Sequence, residues 1–139
     1  MSTQKTKNTP VSQLMLPLEK FPVVETKTIL KEALEEMGNA RLGIVCIINE
    51  EKRLEGILTD GDIRRKLLKV QKPFSAFFID DALDHAIKTP MTISPDTTLI
   101  EATLLMGDKQ VWDLPVVDAE GKLVGLLHLH PVVQALLQD

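Results

Sequence analysis

Two halves of the chain share one pattern of residues. Four residues of the first half recur in the second half at a constant offset of 69 positions. They are Ala33, Met37, Leu54 and Gly56, which match Ala102, Met106, Leu123 and Gly125. Upstream, residues 11–15 match residues 83–87 at an offset of 72, which predicts three extra residues before the first strand of the first copy. A unit of about 60 residues is too small to bury a sheet alone, so we expect two units packed sheet to sheet with pseudo-twofold symmetry. Clefts between such units are common ligand sites.

Hydrophobic periodicity predicts the order β-α-β-β-α in both copies, an α/β fold of the α+β type. The first copy is predicted to contain one or two helical turns (11–16), a strand (21–26), a helix (29–37) stopped by Gly38, a hairpin (44–48 and 54–59) and a helix (62–69). The second is predicted to contain a short helix (83–90), a strand with a turn (91–96), a helix (97–110), a strand-turn-strand (114–129) and a last helix (130–138). Thr98 and Glu101 have the spacing of a capping box.

The same pattern divides the chain into four parts. Residues 1–10 are polar and lack periodicity, which predicts a disordered tail. The first repeat covers 11–69, a connector covers 70–82, and the second repeat covers 83–139. The phenylalanines of the connector, Phe74, Phe77 and Phe78, are expected to pack over the core, and an exposed docking patch is the alternative.

Composition excludes several classes of function. The net charge of -4 argues against nucleic acid as the main partner, because phosphate backbones select basic surfaces. The single cysteine, Cys46, lies in an apolar run and is expected in the core, so no disulfide can form within the chain. Because the sequence has no apolar segment of membrane-spanning length and no charged-then-apolar stretch, we expect neither membrane spanning nor secretion. We therefore expect a cytoplasmic protein with no membrane partner.

One polar turn interrupts this apolar pattern at the end of the first predicted hairpin. Thr59 ends a strand, residues 60–62 (Asp-Gly-Asp) form a turn, and Arg64 and Arg65 follow in the next helix. A hydroxyl, carboxylates and arginines at a strand–helix turn suit the hydroxyls and phosphate of a sugar phosphate or nucleotide. The alternative is an ordinary helix cap, because Thr and Asp are common N-cap residues.

The double β-α-β-β-α pattern resembles a tandem pair of cystathionine-β-synthase (CBS) domains, a Bateman module, over residues 11–138. More narrowly, GILTDGDIRR, TISPDTTLIEA and LPVVDAEGKLVGLLHLH resemble the C-terminal half of the arabinose-5-phosphate isomerases of the sugar isomerase family. In those enzymes catalysis belongs to an N-terminal sugar isomerase domain, for which this chain has no room. The resemblance therefore implies a regulatory module, free-standing or one half of a longer protein, without catalytic activity of its own.

The resemblance also implies a ligand site in the first repeat. There the family pattern of glycine, two apolar residues, Thr or Ser, and an Asp is intact from Gly56 to Asp62. Asp62 would accept hydrogen bonds from ribose hydroxyls, Thr59 would contact ribose or phosphate, and Gly61 would permit close backbone approach. Ile57, an apolar residue of the pattern, is also part of the implied site, and the edge of the strand Ile44-Val45 would face a purine. Arg64 and Arg65 are candidate phosphate ligands, and at least one of them is expected to point to solvent.

The second repeat departs from that pattern. His128 replaces Thr59 and Pro131 replaces Asp62, so the ribose-binding carboxylate is missing. We predict one competent site and a weaker second site formed by His128, His130 and Asp113. Two residues apart on a strand, His128 and His130 would share a face, but the spacing suggests no third ligand, so we predict no metal site.

Together these features favour a regulatory module that requires no cofactor and binds AMP, ADP, ATP or a CMP-sugar. Expected partners are a second copy of the chain and a sugar isomerase domain or enzyme. Dimerisation would use the apolar residues of the two terminal helices: Leu67, Leu68, Leu136 and Leu137. Trp112 either stacks on a base or packs in a core or dimer interface. The alternative function is a ligand-free oligomerisation module, favoured by the loss of the acid at Pro131.

Overall fold

A computed structural model describes residue 6 and residues 8–69, 71 and 73–138, and divides the chain into two compact units. The first unit comprises residues 19–90, and the second comprises residues 1–18 together with residues 91–139. Residues 1–5 and 7 of the predicted tail, Val70 and Lys72 of the predicted connector, and Asp139 lie outside the described residues.

The first unit is a three-stranded sheet with helices. Its elements are β1 (Val23–Glu25), α1 (Leu30–Ala40), β2 (Ile44–Ile48), β3 (Leu54–Thr59), α2 (Asp60–Lys69), α3 (Phe74–Phe78) and a 3₁₀ helix (Ala82–His85). The strand order is β1-β2-β3, with β1 parallel and β3 antiparallel to β2. The chain then returns to the free side of β3, where Ile87 and Ile57 exchange two backbone hydrogen bonds of 2.8 and 3.0 Å.

The second unit repeats this plan with fewer regular strands. Its elements are a 3₁₀ helix (Val11–Gln13), α4 (Leu99–Lys109), β4 (Asp113–Val117), β5 (Leu123–His128) and α5 (Leu129–Leu137). β4 and β5 are antiparallel. Ile93 bridges to Val116 in parallel, as Val24 pairs with Ile47 in the first unit. Leu16 bridges to Leu126 as Ile87 does to Ile57.

The boundaries of the two compact units therefore differ from those of the two sequence repeats. The segment before the first repeat's strands packs in the second unit, and residues 80–87 complete the first unit. Two matching hydrogen bonds show the exchange: the Val11 N–H donates to the Thr97 carbonyl, and the Ala82 N–H donates to the Thr28 carbonyl, both at 2.8 Å. Thr9 and Pro10 belong to this structure too, because the Leu99 N–H donates to the Thr9 carbonyl and Pro10 bridges to Thr98. The prediction of a disordered tail is wrong for these two residues.

The hydrogen bonds correct the upstream register of the repeat. Pro10, Val11 and Leu16 occupy the places of Asp81, Ala82 and Ile87, an offset of 71 rather than the predicted 72. The first copy consequently carries two extra residues before its first strand, not three. Matching of apolar letters missed this register because backbone pairing, rather than side-chain type, fixes it.

Gly56 and Gly125 explain why one repeated position must be glycine. A Cβ on Gly56 would lie 3.1 Å from the Ile87 carbonyl oxygen, and one on Gly125 would lie 3.0 Å from the Leu16 carbonyl oxygen. The returning segment crosses the hairpin too closely for a side chain, so the repeated glycine belongs to the fold and not to the ligand site.

Several predicted boundaries differ from the structure. α1 continues through Gly38 to Ala40 and ends at Arg41 in the left-handed conformation (φ 56°). Segment 83–90 forms only the end of a 3₁₀ helix, and segment 91–96 contributes a single bridge rather than a strand. The predicted irregular connector contains the helix α3. The capping box of α4 is confirmed, with Thr98 and Glu101 hydrogen-bonded reciprocally.

Each unit has its own hydrophobic core, and the cores use equivalent positions. In the first unit they are Val24, Leu30, Ala33, Met37, Val45, Ile47, Leu58 and Ile63, and in the second Ile93, Leu99, Ala102, Met106, Leu114, Val116, Leu127 and Val132. All eight pairs keep the offset of 69. The exchanged segments add one further pair, Ala82 and Val11. Phe77 is an extra core residue of the first unit; it is fully buried, whereas Phe74 is exposed. The predicted packing of the phenylalanines is right for Phe77 and for Phe78, which packs partly buried against this core, and wrong for Phe74.

Candidate functional site

The candidate site lies where β3 passes into α2 without a loop. Thr59 is the last residue of β3 and pairs with Ile44, the first residue of β2. Asp60 already begins the helix, and its N–H donates to the Gly43 carbonyl at 3.0 Å. This contact fixes the first turn of α2 against the start of β2, so that side chains of the turn stand at the end of the hairpin.

Three polar side chains of this turn form one network. The Thr59 hydroxyl donates to Asp62 Oδ2 at 2.7 Å, and the Asp62 N–H donates to Thr59 Oγ1 at 3.2 Å. Arg65 Nη2 donates to Asp62 Oδ1 at 2.7 Å. Thr59 therefore caps the helix, as the alternative interpretation of the sequence predicted. The cap also presents a carboxylate of known orientation, whose side chain is 18% exposed.

Gly61 lies under the Arg65 guanidinium. A Cβ placed on Gly61 would lie 3.2 Å from Arg65 Nη1 and 3.3 Å from Nη2. The missing side chain thus lets Arg65 fold back towards Asp62. Arg64 is exposed and makes no hydrogen bond or ion pair with any residue that the structure describes. The two predicted phosphate ligands are therefore in different situations.

The predicted apolar members of the site are buried. Ile44 is almost completely buried, Ile57 is buried, and Val45 belongs to the core of the first unit. The Val45 side chain therefore packs in the core, and its predicted role in facing a purine is limited to its main chain.

Gly43, just before β2, is a residue beside the turn that sequence reasoning missed, and it contacts Asp60 of the turn. A Cβ on Gly43 would lie 2.7 Å from Asp60 Oδ2, so the Asp60 carboxylate crosses over the glycine. The offset of 69 contained a signal, because it places Trp112 and Leu129 at the equivalent positions. The second repeat therefore has neither the glycine nor the acid at these two positions, and this difference distinguishes the turn of the first repeat from that of the second.

In the second unit a different polar pair occupies the end of the hairpin. Asp113 and His128 are directly opposite each other on β4 and β5, and His128 Nδ1 is hydrogen-bonded to Asp113 Oδ1 at 2.7 Å. Burial raises the pKa of Asp113 above its usual value of 3.8, while the hydrogen bond and charge of His128 act in the opposite direction. The Leu129 N–H donates to the Trp112 carbonyl at 2.9 Å, as Asp60 does to Gly43.

The structure brings His128 and Asp113 together but not His130. β5 ends at His128, and His130 is an exposed residue of the first turn of α5. The prediction that the two histidines share a strand face is therefore wrong, because the helix begins between them. Among the described residues, no group of three or more His, Cys, Asp or Glu side chains is placed to hold a metal ion. Trp112 is 70% exposed, so packing in a core is excluded for it.

The repeated plan of the two units agrees with the sequence comparison. The CBS domain profile matches residues 11–69 and 81–137. The chain belongs to the CBS domain family. It carries a CBS pair, as the resemblance predicted, and its solved structural neighbours share the fold.

Relatives of this CBS pair include enzymes and proteins of unassigned function. The chain is 34% identical to arabinose 5-phosphate isomerase KdsD of Pseudomonas aeruginosa over 128 residues. It is 32% identical over 126 residues to an uncharacterized protein of Helicobacter pylori (strain J99). These matches cover 90% and 86% of this chain but only 37% and 35% of the relatives, so the chain spans little more than a third of their length.

A solved CBS pair of similar length was crystallised with a nucleotide. CBSX2 from Arabidopsis thaliana in complex with AMP is 30% identical and has a TM-score of 0.81. The match covers 93% of this chain and 96% of that one. Separately, none of the helices among the described residues has the length and hydropathy needed to cross a membrane.

Proposed function

We propose that this CBS pair is a regulatory module that binds an adenine nucleotide at the turn from Thr59 to Asp62. The observation that carries the proposal is the Thr59–Asp62–Arg65 network, which presents a partly exposed carboxylate beside a cation in one of the two units. CBSX2 in complex with AMP supports the ligand class, because it is 30% identical over nearly the whole chain.

Asp62 has room for a ligand hydroxyl despite its internal partners. A carboxylate offers about four acceptor positions, and the network uses one on each oxygen. A ribose hydroxyl that donates to the remaining lone pairs gains a charge-assisted hydrogen bond. The Thr59 hydroxyl keeps the carboxylate oriented for that bond.

The proposed output is control of a sugar-phosphate isomerase activity. Arabinose 5-phosphate isomerases are among the relatives, and this chain aligns with a little over a third of their length. A nucleotide that binds two arrangements of the module with different affinity shifts their populations, and a catalytic domain or separate enzyme in contact with the module would respond. The module itself is proposed to regulate and not to catalyse.

Calorimetric titration with AMP, ADP, ATP and a CMP-sugar tests the binding proposal. We expect a saturable signal with at least one of the three adenine nucleotides, and Asp62→Ala should weaken it about ten- to hundredfold by removing a charged acceptor. Asp84→Ala, at an exposed carboxylate of the same unit, is the matched control and should bind like the wild type. The absence of heat from all three adenine nucleotides at millimolar concentration would refute the proposal, whether or not the CMP-sugar binds.

A second candidate function, an oligomerisation module, is favoured by one observation. Leu68 in α2 is 82% exposed and Leu137 in α5 is 79% exposed, and the two are equivalent positions at the offset of 69. Leu67 and Leu136, also predicted to serve dimerisation, instead pack partly against the cores of their own units. We propose a homodimer that uses Leu68 and Leu137. Sedimentation velocity should show a dimer that Leu68→Lys with Leu137→Lys converts to a monomer, and an unchanged sedimentation coefficient would exclude this interface.

A further inference from the structure

The two consecutive arginines of α2 differ in what holds them. Arg65 lies one helical turn beyond Asp62 and donates to its Oδ1 at 2.7 Å, with its guanidinium over the bare backbone of Gly61. Arg64 is rotated about 100° around the helix from Arg65. It contacts no hydrogen-bonding partner among the described residues. Only Arg65 is therefore held at the Thr59–Asp62 turn.

Arg65 retains hydrogen-bonding capacity after pairing with Asp62. A guanidinium has five N–H donors, and the contact with Asp62 uses a donor on Nη2. The side chain is 58% exposed, so other donors can be reached by a ligand. A guanidinium held on one edge by a carboxylate is already ordered, and less side-chain entropy is lost when it binds an anion.

The charges of the turn make a cation necessary for an anionic ligand. Asp60 and Asp62 place two carboxylates in the first turn of α2. A phosphate beside them is repelled unless a positive group stands between, and interactions of this kind are strong within a few ångströms. Arg65 is the cation in direct contact with one of these carboxylates.

We propose that Arg65, and not Arg64, gives this site its preference for a phosphorylated over an unphosphorylated nucleoside. Asp62 positions Arg65 and accepts the ribose hydroxyl, while Arg65 binds the phosphate. This inference rests on the proposed nucleotide-binding function. The second unit has Gln134 at the position equivalent to Arg65 and Pro131 at that of Asp62, so it lacks both parts of this arrangement.

Binding of AMP and of adenosine to Arg65→Ala and Arg64→Ala tests the assignment. Loss of a charge-assisted contact should weaken AMP binding by Arg65→Ala about ten- to hundredfold. The same variant should leave adenosine within about twofold of wild type, and Arg64→Ala should leave both ligands within that range. Arg65→Lys retains the charge without the planar fork and should restore part of the AMP affinity. Both arginines are exposed, and circular dichroism of the variants verifies their folding.

Four outcomes would overturn the assignment. Equal loss of AMP affinity in the two alanine variants would show that the arginines act alike. Equal weakening of AMP and adenosine by Arg65→Ala would show that Arg65 only holds Asp62 in place. If the wild-type protein binds neither ligand at millimolar concentration, both the proposed adenine-nucleotide binding and this inference are rejected. If the wild type binds AMP and Arg65→Ala binds it equally well, only the inference is rejected.

Discussion

The two units have the same interior and different hairpin ends. Eight core positions recur at the offset of 69 with apolar residues in both units, from Val24 and Ile93 to Ile63 and Val132. At the hairpin end, Thr59, Asp62 and Arg65 stand where the second unit has His128, Pro131 and Gln134. The second unit builds its sheet and last helix without any of the three. The polar turn of the first unit is therefore not a requirement of the fold, and its chemistry is available for a ligand.

The second unit stabilises its hairpin end in another way. The His128–Asp113 pair joins β4 to β5 across the position where Ile44 faces Thr59 in the first unit. Pro131 occupies the first turn of α5, where its missing N–H costs nothing. Because Asp113 and His128 are hydrogen-bonded to each other, this end suits packing more than anion binding, which leaves the first unit as the proposed nucleotide site.

Phe77 is the largest departure from the shared core, and its removal should have the largest effect. The side chain is fully buried in the first unit, beyond the positions that the two cores share. We expect Phe77→Ala to lower the free energy of unfolding by about 3–5 kcal/mol, measured by urea denaturation. Phe74→Ala, at a 58% exposed ring of the same helix, should change it by less than about 0.5 kcal/mol. Similar losses in the two variants would mean that α3 packs as a whole and that Phe77 is not a specific core residue.

The asymmetry of the hairpin ends predicts one AMP per chain. Pro131→Ala changes the residue equivalent to Asp62 without removing a charge, so AMP affinity should stay within about twofold of wild type and the stoichiometry should remain one AMP per chain. Asp62→Ala, in contrast, should remove roughly 2 kcal/mol of binding free energy. Calorimetry that gives two equivalent AMP molecules per chain would contradict the proposed difference between the units.

The raised pKa of Asp113 predicts a pH dependence that belongs to the second unit. A carboxyl whose pKa is higher in the folded state binds more protons there than in the unfolded state. Its contribution to stability is therefore present below its usual value of 3.8 and is lost as the pH rises through the higher folded value. Asp113→Asn should remove this decline, as measured by urea denaturation at successive pH values from 3.5 upwards. Asp96→Asn, at an exposed carboxylate of the same unit, is the control. A decline that persists in Asp113→Asn would assign it to another group.

Sequence alone predicted the parts of the structure that periodicity controls. The repeated core and the hairpins follow from apolar spacing. The CBS domain pair, which the resemblance of these repeats implied, is confirmed. The register of residues 9–16 was not predictable, because backbone hydrogen bonds to a distant part of the chain determine it. His130 was predicted to share a strand face with His128 but lies in α5, because β5 ends at His128 and α5 begins at Leu129. The ends of helices and strands are only weakly determined by sequence. The difference between Arg64 and Arg65 depends on the direction of two side chains, which sequence letters do not contain. The assignment of Thr59 and Asp62 to a ligand remains a prediction.

The smallest effect concerns the start of the first long helix in each unit. α4 begins with the Thr98–Glu101 capping box, and hydrogen bonds from Thr98 hold the pKa of Glu101 below its usual value. The equivalent residues before and within α1 are Ile29 and Glu32, and among the described residues no side chain caps that helix. Thr98→Ala should lower the free energy of unfolding by about 1 kcal/mol, whereas Ile29→Ala, which removes no cap bond, should act only through lost apolar contact. Glu101→Gln and Glu32→Gln, each made in the wild type and in the matching alanine variant, distinguish loss of the cap from loss of apolar contact. Glu101→Gln should lower stability in the wild type but not in Thr98→Ala, because it acts through Thr98. Glu32→Gln should have little effect in either the wild type or Ile29→Ala. Additive effects of Thr98→Ala and Glu101→Gln in urea denaturation would show that the two residues do not act as a coupled cap.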